Sequence, residues 1–289
     1  MKVFFSSGQL GNQLFQIAAA RKITREYETL VLIGFGESLD VIQLAPRKGR
    51  DFRFLRLRGG LRLQRVMSNL FFKALQWFGN LLLLRNIAGR IKNSPEGPVA
   101  HKSRFPISIA LRAQFRETLI EALSEFRLTT TREKWAREWF DKRQIHQDYK
   151  GIAQATFLHI RRGDYLEWPH PDYPAALDKE WFTRAITEAK DALPHQPIVV
   201  FSDDPAWVLA NWNQTKEFLL FEGTFQDTFA LMATCNSGIL SASTFSWWAA
   251  KLREEAKSGP FIAPMFWLGH RRKQWKGDLF QESQFLTFR

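Results

Sequence analysis

Cysteine is nearly missing from this chain. Cys235 stands alone among 289 residues, which excludes an intrachain disulfide and any metal site built from several thiolates. Long apolar runs are missing too. The most apolar stretch, Leu81 to Leu84, is closed off by Asn80 and Arg85 and falls far short of the roughly 18 residues that span a bilayer. The opening "MKVFFSS" has one lysine and a brief apolar run before it turns polar, which is not a secretory pattern. Together these gaps predict a cytoplasmic protein, soluble or held peripherally on the inner face of a membrane.

Acidic residues are scarce in one place only. Residues 47–104 hold 14 of the 41 Lys and Arg but only two of the 29 Asp and Glu, Asp51 and Glu96. This segment therefore carries the whole net charge of +12. Its arginines interleave with Leu and Phe ("RDFRFLRLRGGLRLQRV"). Two readings fit: basic helices solvated on one face and packed on the core with the other, or a surface that meets an anionic membrane or glycan carrier. Interleaved Phe and Arg also suit nucleic acid, but no second signature supports it, and no nucleic-acid partner is expected.

What is abundant is apolar and aromatic residues, 45% and 14% of the chain, a globular composition. Their spacing gives the fold class. "KVFF" (2–5) reads as a strand, "NQLFQIAAARKITRE" (12–26) as a helix and "TLVLIGF" (29–35) as a strand, which makes a βαβ unit. Residues 61–92 and 107–144 read as mainly helical, and 97–106 as a loop. From residue 150 onward, strands at 156–160, 197–202, 237–242 and a last one at 260–264 alternate with helices at 179–193, 204–212, 224–235 and 244–257. This alternation predicts a parallel, doubly wound α/β sheet. Two such units joined near 145–152 predict Rossmann-like domains, 1–150 and 151–289, facing across a cleft.

Open α/β sheets bind ligands beyond the carboxyl ends of their strands, so the residues there are the candidates. His159, Arg161, Arg162 and Asp164 end one strand in "HIRRGDY". Adjacent side chains on extended backbone point to opposite faces. One of the two, as Arg162 could, is therefore expected to pair with Asp164 and fix the turn, leaving the other to face a ligand. Arginine suits phosphate because its planar fork reaches two oxygens at once. In "SDDP", Asp204 and Pro205 suit a helix start, which leaves Asp203 as the functional acid. In "SASTFSWW", Ser243, Thr244, Phe245 and Ser246 open a helix whose free N–H groups could receive an anion; Trp247 and Trp248 are core. In "GQLGNQLFQ" (8–16), Gly11 lies in a glycine turn that is not G-x-G-x-x-G, and Asn12 and Gln13 present amides, Asn12 equally suited to capping a helix. Asp227, three residues after Thr224, fits a capping box. His101, His170 and His195 have no carboxylate at a useful spacing.

In their order, "GQLGNQLFQ", "HIRRGDY", "VFSDD", "TFQDTFALMATC", "SASTFSWWAAKL" and "FIAP" resemble the family 11 α-1,2-fucosyltransferases, over residues 8–264. The resemblance implies a GT-B-like fold, GDP-β-L-fucose as donor, inversion at the fucose C1, a galactose-containing acceptor and no metal or other cofactor. It places Arg161 on the donor's β-phosphate, His159 and Asp203 by the guanine nucleoside, and Ser243 to Ser246 on the diphosphate. Asp164 is then the nearest carboxylate to serve as base, and Asn12 could orient the acceptor hydroxyl. The chain departs from the family where a mid-chain "GY-F/W-Q" stretch is usual. "LRAQF" (111–115) stands there and keeps Gln114. Met265 and Phe266 follow "FIAP" in place of a basic residue, and the 47–104 segment is unusually basic. A fucosyltransferase of another linkage, or a polyanion-binding protein built on the basic segment, also fits these residues.

Overall fold

A computed structural model describes residues 2–6, 9–23, 30–44, 52–55, 66, 70, 74, 88–94, 97–100, 126–267, 273 and 286–288. The chain divides into two compact units, Met1–Arg127 and Leu128–Arg289.

The first unit holds β1 (Lys2–Phe5), α1 (Leu10–Ile23), β2 (Leu30–Ile33), α2 (Gly36–Leu39), β3 (Ile42–Leu44), β4 (Phe52–Leu55), β5 (Ala88–Ser94) and β6 (Gly97–Ala100). Its sheet runs β4-β2-β1-β5-β6. All neighbours are parallel except the last pair. The expected βαβ start is present. Within the basic segment residues 66, 70 and 74 are helical as expected, but β4 takes residues 52–55, β5 takes residues 88–92 of the expected helix, and β6 takes the first four residues of the expected 97–106 loop; the rest of the expected helix at 61–87 lies outside the described residues. β4 and β5 owe their strand form to pairing with β2 and β1 across the sheet, which a short window of sequence does not reveal; β6 pairs with β5.

The second unit is the better ordered by sequence logic. After β7 (Phe126–Leu128) come α3 (Thr130–Asp141), β8 (Ala153–Ile160), α4 (Lys179–Ala192), β9 (Ile198–Ser202), α5 (Pro205–Asn211), β10 (Phe218–Phe221), α6 (Phe225–Thr234), β11 (Cys235–Ile239), α7 (Thr244–Lys251), β12 (Phe261–Ala263) and β13 (Leu286–Phe288). The sheet order is β10-β9-β8-β11-β12-β13, parallel throughout. β8 is buried along nearly its whole length, as a central parallel strand covered on both faces must be. Its Leu158 and Ile160 pack with Trp181, Phe182, Ala185 and Ala189 of α4 and with Ile198 and Val200 of β9.

Three details differ from expectation. The units meet at 127/128 and not near 150, because α3 belongs with the second. Its Arg132 pairs with Asp227 of α6 at 2.5 Å, and its Trp135 and Trp139 rings pack edge-on against Phe221 of β10. β12 is not the last strand; β13 pairs beyond it. β10 is an edge strand of four residues too short to show a pattern. Beyond these three, β7 lies inside the stretch expected to be helical, of which residues 107–125 fall outside the described residues, and α7 ends at Lys251, six residues before expectation; the other boundaries fall within a few residues. Asp178 caps α4 by accepting from the Trp181 N–H at 2.9 Å. Thr224 and Asp227 form the expected box at α6, bonded at 2.6 and 3.2 Å.

One glycine sets the spacing of the central strands. A Cβ on Gly238 of β11 would come within 2.3 Å of the Phe157 ring of β8. Gly238→Ala is expected to lower stability by about 1–3 kcal/mol, the usual effect of overpacking a core, read as a lower midpoint in urea with an unchanged slope.

Candidate functional site

Strand order reverses between β8 and β11. From β8 the chain first builds outward through β9 and β10. It then returns to the other side for β11, β12 and β13. Such a switch point leaves an open crevice at the carboxyl ends of the two strands, where ligands bind in sheets of this kind. The residues just past β8, β9 and β11 are those of "HIRRGDY", "SDDP" and "SASTFSWW".

Ser241 joins the two central strand ends. It is buried. Its hydroxyl donates to the His159 carbonyl at 2.7 Å and accepts from the Arg161 N–H at 2.9 Å. Asp203 joins the third. One of its oxygens accepts from the Arg162 N–H at 2.8 Å, and the other takes Arg161 Nη1 at 2.7 Å. Glycine follows the arginines for a steric reason: a Cβ on Gly163 would stand 2.7 Å from Asp203 Oδ2.

The arginines divide their work differently from the expectation. Arg161, not Arg162, meets Asp164, at 2.6 Å. Its guanidinium is thus shared between Asp164 and Asp203, with Tyr165 beneath it at 5.5 Å from the ring centre. Arg162 turns away. It meets Asp204 at 3.1 Å and lies 4.1 Å above the centre of the Trp207 ring. The backbone turns into a short 3-10 helix at Gly163–Leu166, so the alternation of a strand no longer sets where these side chains point. Asp203 has structural work as well. Asp204 caps α5 as expected, accepting from Trp207 N–H at 3.1 Å.

His159 is buried, and its Nδ1 has no hydrogen-bond partner among the described residues. Its ring lies 5.7 Å from that of Phe245. Burial, with the nearby Arg161 charge, pushes its pKa down to about 3, so the imidazole is neutral. At the mouth of α7, Ser243 is the cap and accepts from the Phe245 N–H at 3.3 Å. Ser246 is buried, and its hydroxyl donates to the carbonyls of Ser243 and Ser241 at 3.2 and 3.4 Å; that hydroxyl shapes the turn. Thr244 and Phe245 are half-buried. Trp247 and Trp248 are core. Tyr165 is the contributor that strand-end reasoning passed over; Ser241 lay in a candidate strand end without a role of its own, and Asp204 was read only as a cap, not as the partner of Arg162. Tyr165 donates its hydroxyl to the Ala242 carbonyl at 3.0 Å, and burial raises its pKa to about 12.

In the first unit, Gly11 is buried and Asn12 half-buried in the first turn of α1. The helix begins at Leu10, so Asn12 lies within it and is not its cap. Gln13 is buried, and its amide oxygen accepts from Ser38 Oγ at 3.0 Å. Gln114 lies outside the described residues. Among the described residues, no three His, Cys, Asp or Glu converge on one point, and no helix is long and apolar enough to cross a membrane.

The neutral His159 has a consequence for stability. The unfolded chain takes up a proton near pH 6.5 and the folded one only near pH 3, so stability is lost as pH falls below 6.5. Between pH 6.5 and 4.5, His159→Gln should flatten the fall in unfolding free energy, by up to about 1.4 kcal/mol per pH unit, read from urea titrations at each pH. Parallel slopes in the two proteins would refute it.

Residues 113–282, more than half of the chain, match the family described as Glycosyl transferase family 11. The O-antigen biosynthesis glycosyltransferase WbnK of Escherichia coli is 26% identical over 92% of this chain and 95% of that protein. Galactoside alpha-(1,2)-fucosyltransferase 1 of Ateles belzebuth is 29% identical over 54% of this chain and 43% of its own length. Among solved structures, POFUT1 in complex with GDP aligns over 90% of this chain and 97% of that one, with a TM-score of 0.52 at 13% identity. That likeness agrees with the α/β, GT-B-like architecture read from the sequence. By the extent of the family match and the order of its strand-end motifs, this chain belongs to glycosyltransferase family 11.

Proposed function

We propose that the protein transfers L-fucose from GDP-β-L-fucose to a hydroxyl of a galactose-containing glycan, forming an α-1,2 linkage with inversion. The observation that carries this reading is Arg161: a guanidinium fixed at the switch point, with its fork already occupied by two carboxylates. The linkage and donor are supported by the names of the relatives, including the galactoside α-1,2 enzymes. Participation in surface polysaccharide assembly is supported by the E. coli relative, which matches along nearly its full length.

The geometry suggests how the residues act. Departure of GDP builds negative charge on the β-phosphate, and a donor fixed beforehand stabilises it at little reorganisation cost. Asp203 holds Arg161 from one side. Asp164, with 64% of its side chain exposed, is free to swing, so a phosphate can take its place on the second edge of the fork. Asp164 released in this way is the nearest motif carboxylate to receive the proton of the acceptor hydroxyl. Neutral His159 offers an unpaired Nδ1 to the nucleoside without adding charge. The start of α7, at Ser243 to Ser246, is placed towards the same end of the sheet and suits the diphosphate. Arg162, held by Asp204 and Trp207, contributes by keeping the turn in place. Asn12 and Gln13 are assigned to the acceptor side, as is Gln114. Contact of the 47–104 segment with an anionic membrane belongs to the same proposal.

Arg161→Lys should leave the thermal midpoint within a few degrees of the parent while lowering kcat/KM for GDP-fucose by about 10²-fold or more, since a lysine cannot span Asp203 and a phosphate together. Full turnover by a folded Lys variant would sink the assignment. EDTA should leave the transfer rate unchanged; an absolute need for Mn²⁺ or Mg²⁺ would overturn the metal-free chemistry.

A further inference from the structure

The loop that follows the arginines carries a large apolar surface with no internal use. Trp168 is 45% exposed and Leu166 44%. The backbone around them is nonetheless firmly tied. Leu166 N–H donates to the Arg162 carbonyl at 3.0 Å and Trp168 N–H to the Asp164 carbonyl at 2.9 Å. Trp168 in turn accepts from Ala175 N–H at 2.7 Å, and Tyr165 accepts from Ala176 N–H at 3.2 Å. The main chain of Trp168 is thus bonded at both its N–H and its carbonyl, which fixes the point from which the indole leaves the surface. Leaving it half in water forgoes apolar burial that a partner could supply.

Its position is as telling as its exposure. The Tyr165 ring lies under Arg161 at 5.5 Å and against the Trp168 ring at 5.3 Å, tilted by 34°. Two ring contacts therefore lead from the guanidinium assigned to the donor to the exposed indole. Along the same loop the exposed acids are Asp164, Glu167 and Asp172, with the exposed His170 beside Asp172 at 3.7 Å. Three carboxylates repel anionic lipid and polyanions, but they accept hydrogen bonds from hydroxyls. A flat aromatic face with hydroxyl acceptors at its rim matches a neutral pyranose, whose C–H face is apolar and whose edge is all hydroxyl.

We propose that Trp168 is a stacking platform for a neutral sugar of the acceptor, next to the transfer centre. This rests on the fucosyltransferase reading above. The test uses the full chain with GDP bound and lactose as probe. Saturation-transfer NMR on the parent should show lactose contact, and Trp168→Ala should abolish it. In transfer assays Trp168→Ala should raise the lactose KM about tenfold or more with kcat nearly unchanged, and Trp168→Phe should recover most of the affinity. GDP affinity by calorimetry should stay within about twofold of the parent. Absence of lactose contact in the parent overturns the proposal. So does an unchanged KM in the Ala variant, or a rise in KM matched by lost GDP affinity, which would mean that the loop had collapsed. Loss of binding to phosphatidylglycerol vesicles with an unchanged lactose KM would make the surface a membrane contact instead. A parent protein that does not bind GDP at all would sink the underlying reading itself, and calorimetry detects that independently of lactose.

Discussion

A single carboxylate, that of Asp203, holds together the parts on which the chemistry depends. It stands at the end of β9 and reaches the end of β8 twice, once at the Arg162 backbone and once at the Arg161 side chain. A charged acceptor of two charge-assisted or backbone bonds is a strong local constraint. It fixes the direction in which Arg161 leaves the sheet. The steric room for it is made by Gly163, and Ser241 secures the same strand end from the opposite neighbour. Remove that carboxylate and the guanidinium has only an exposed aspartate for company.

The electrostatics of the cluster follow from this. Two arginines and three aspartates occupy one rim of the sheet, so without a ligand the positive charge is already neutralised. On the proposed reading, a diphosphate gains a foothold only by displacing an acid. The most exposed of the three, Asp164, is also the one bound to the edge of the fork not taken by Asp203. The buried neutral His159 fits the same economy of charge, since a second cation there would have to be desolvated as well.

Much of this was legible in the sequence, and the limits were physical. The motif residues could be placed at strand ends because β8, β9 and β11 are buried on both faces and read as short apolar runs bounded by polar turns. Asp204, Pro205, Thr224 and Asp227 announced their helix starts by capping chemistry alone. The pairing of Arg161 with Asp164 could not be read, because a 3-10 turn begins between them and breaks the alternation on which the inference relied. The strands β4 and β5 were hidden for another reason: their partners β2 and β1 lie elsewhere in the chain, and arginine-rich segments with regular leucines satisfy a helical pattern equally well; β6, which pairs with the nearby β5, carries only four residues. The edge strands β10 and β13 were too short to show a period. The role of Trp168 had no signal at all, since one tryptophan in a proline-containing loop looks the same whether it is buried or bare.

The bonds at the transfer centre join residues far apart along the chain. Ser241 is 80 positions from Arg161 and 82 from His159, and Asp203 is 41 from Arg162. Contacts of such long range close late in folding, because the loops between them must first be ordered. The centre therefore cannot exist in a half-assembled sheet: β9 and β11 must both have docked on β8 before Arg161 is aimed anywhere. On the proposed reading, a newly made or partly unfolded copy is chemically silent towards the sugar nucleotide, and the capacity to bind it arrives in one step with the completed second unit.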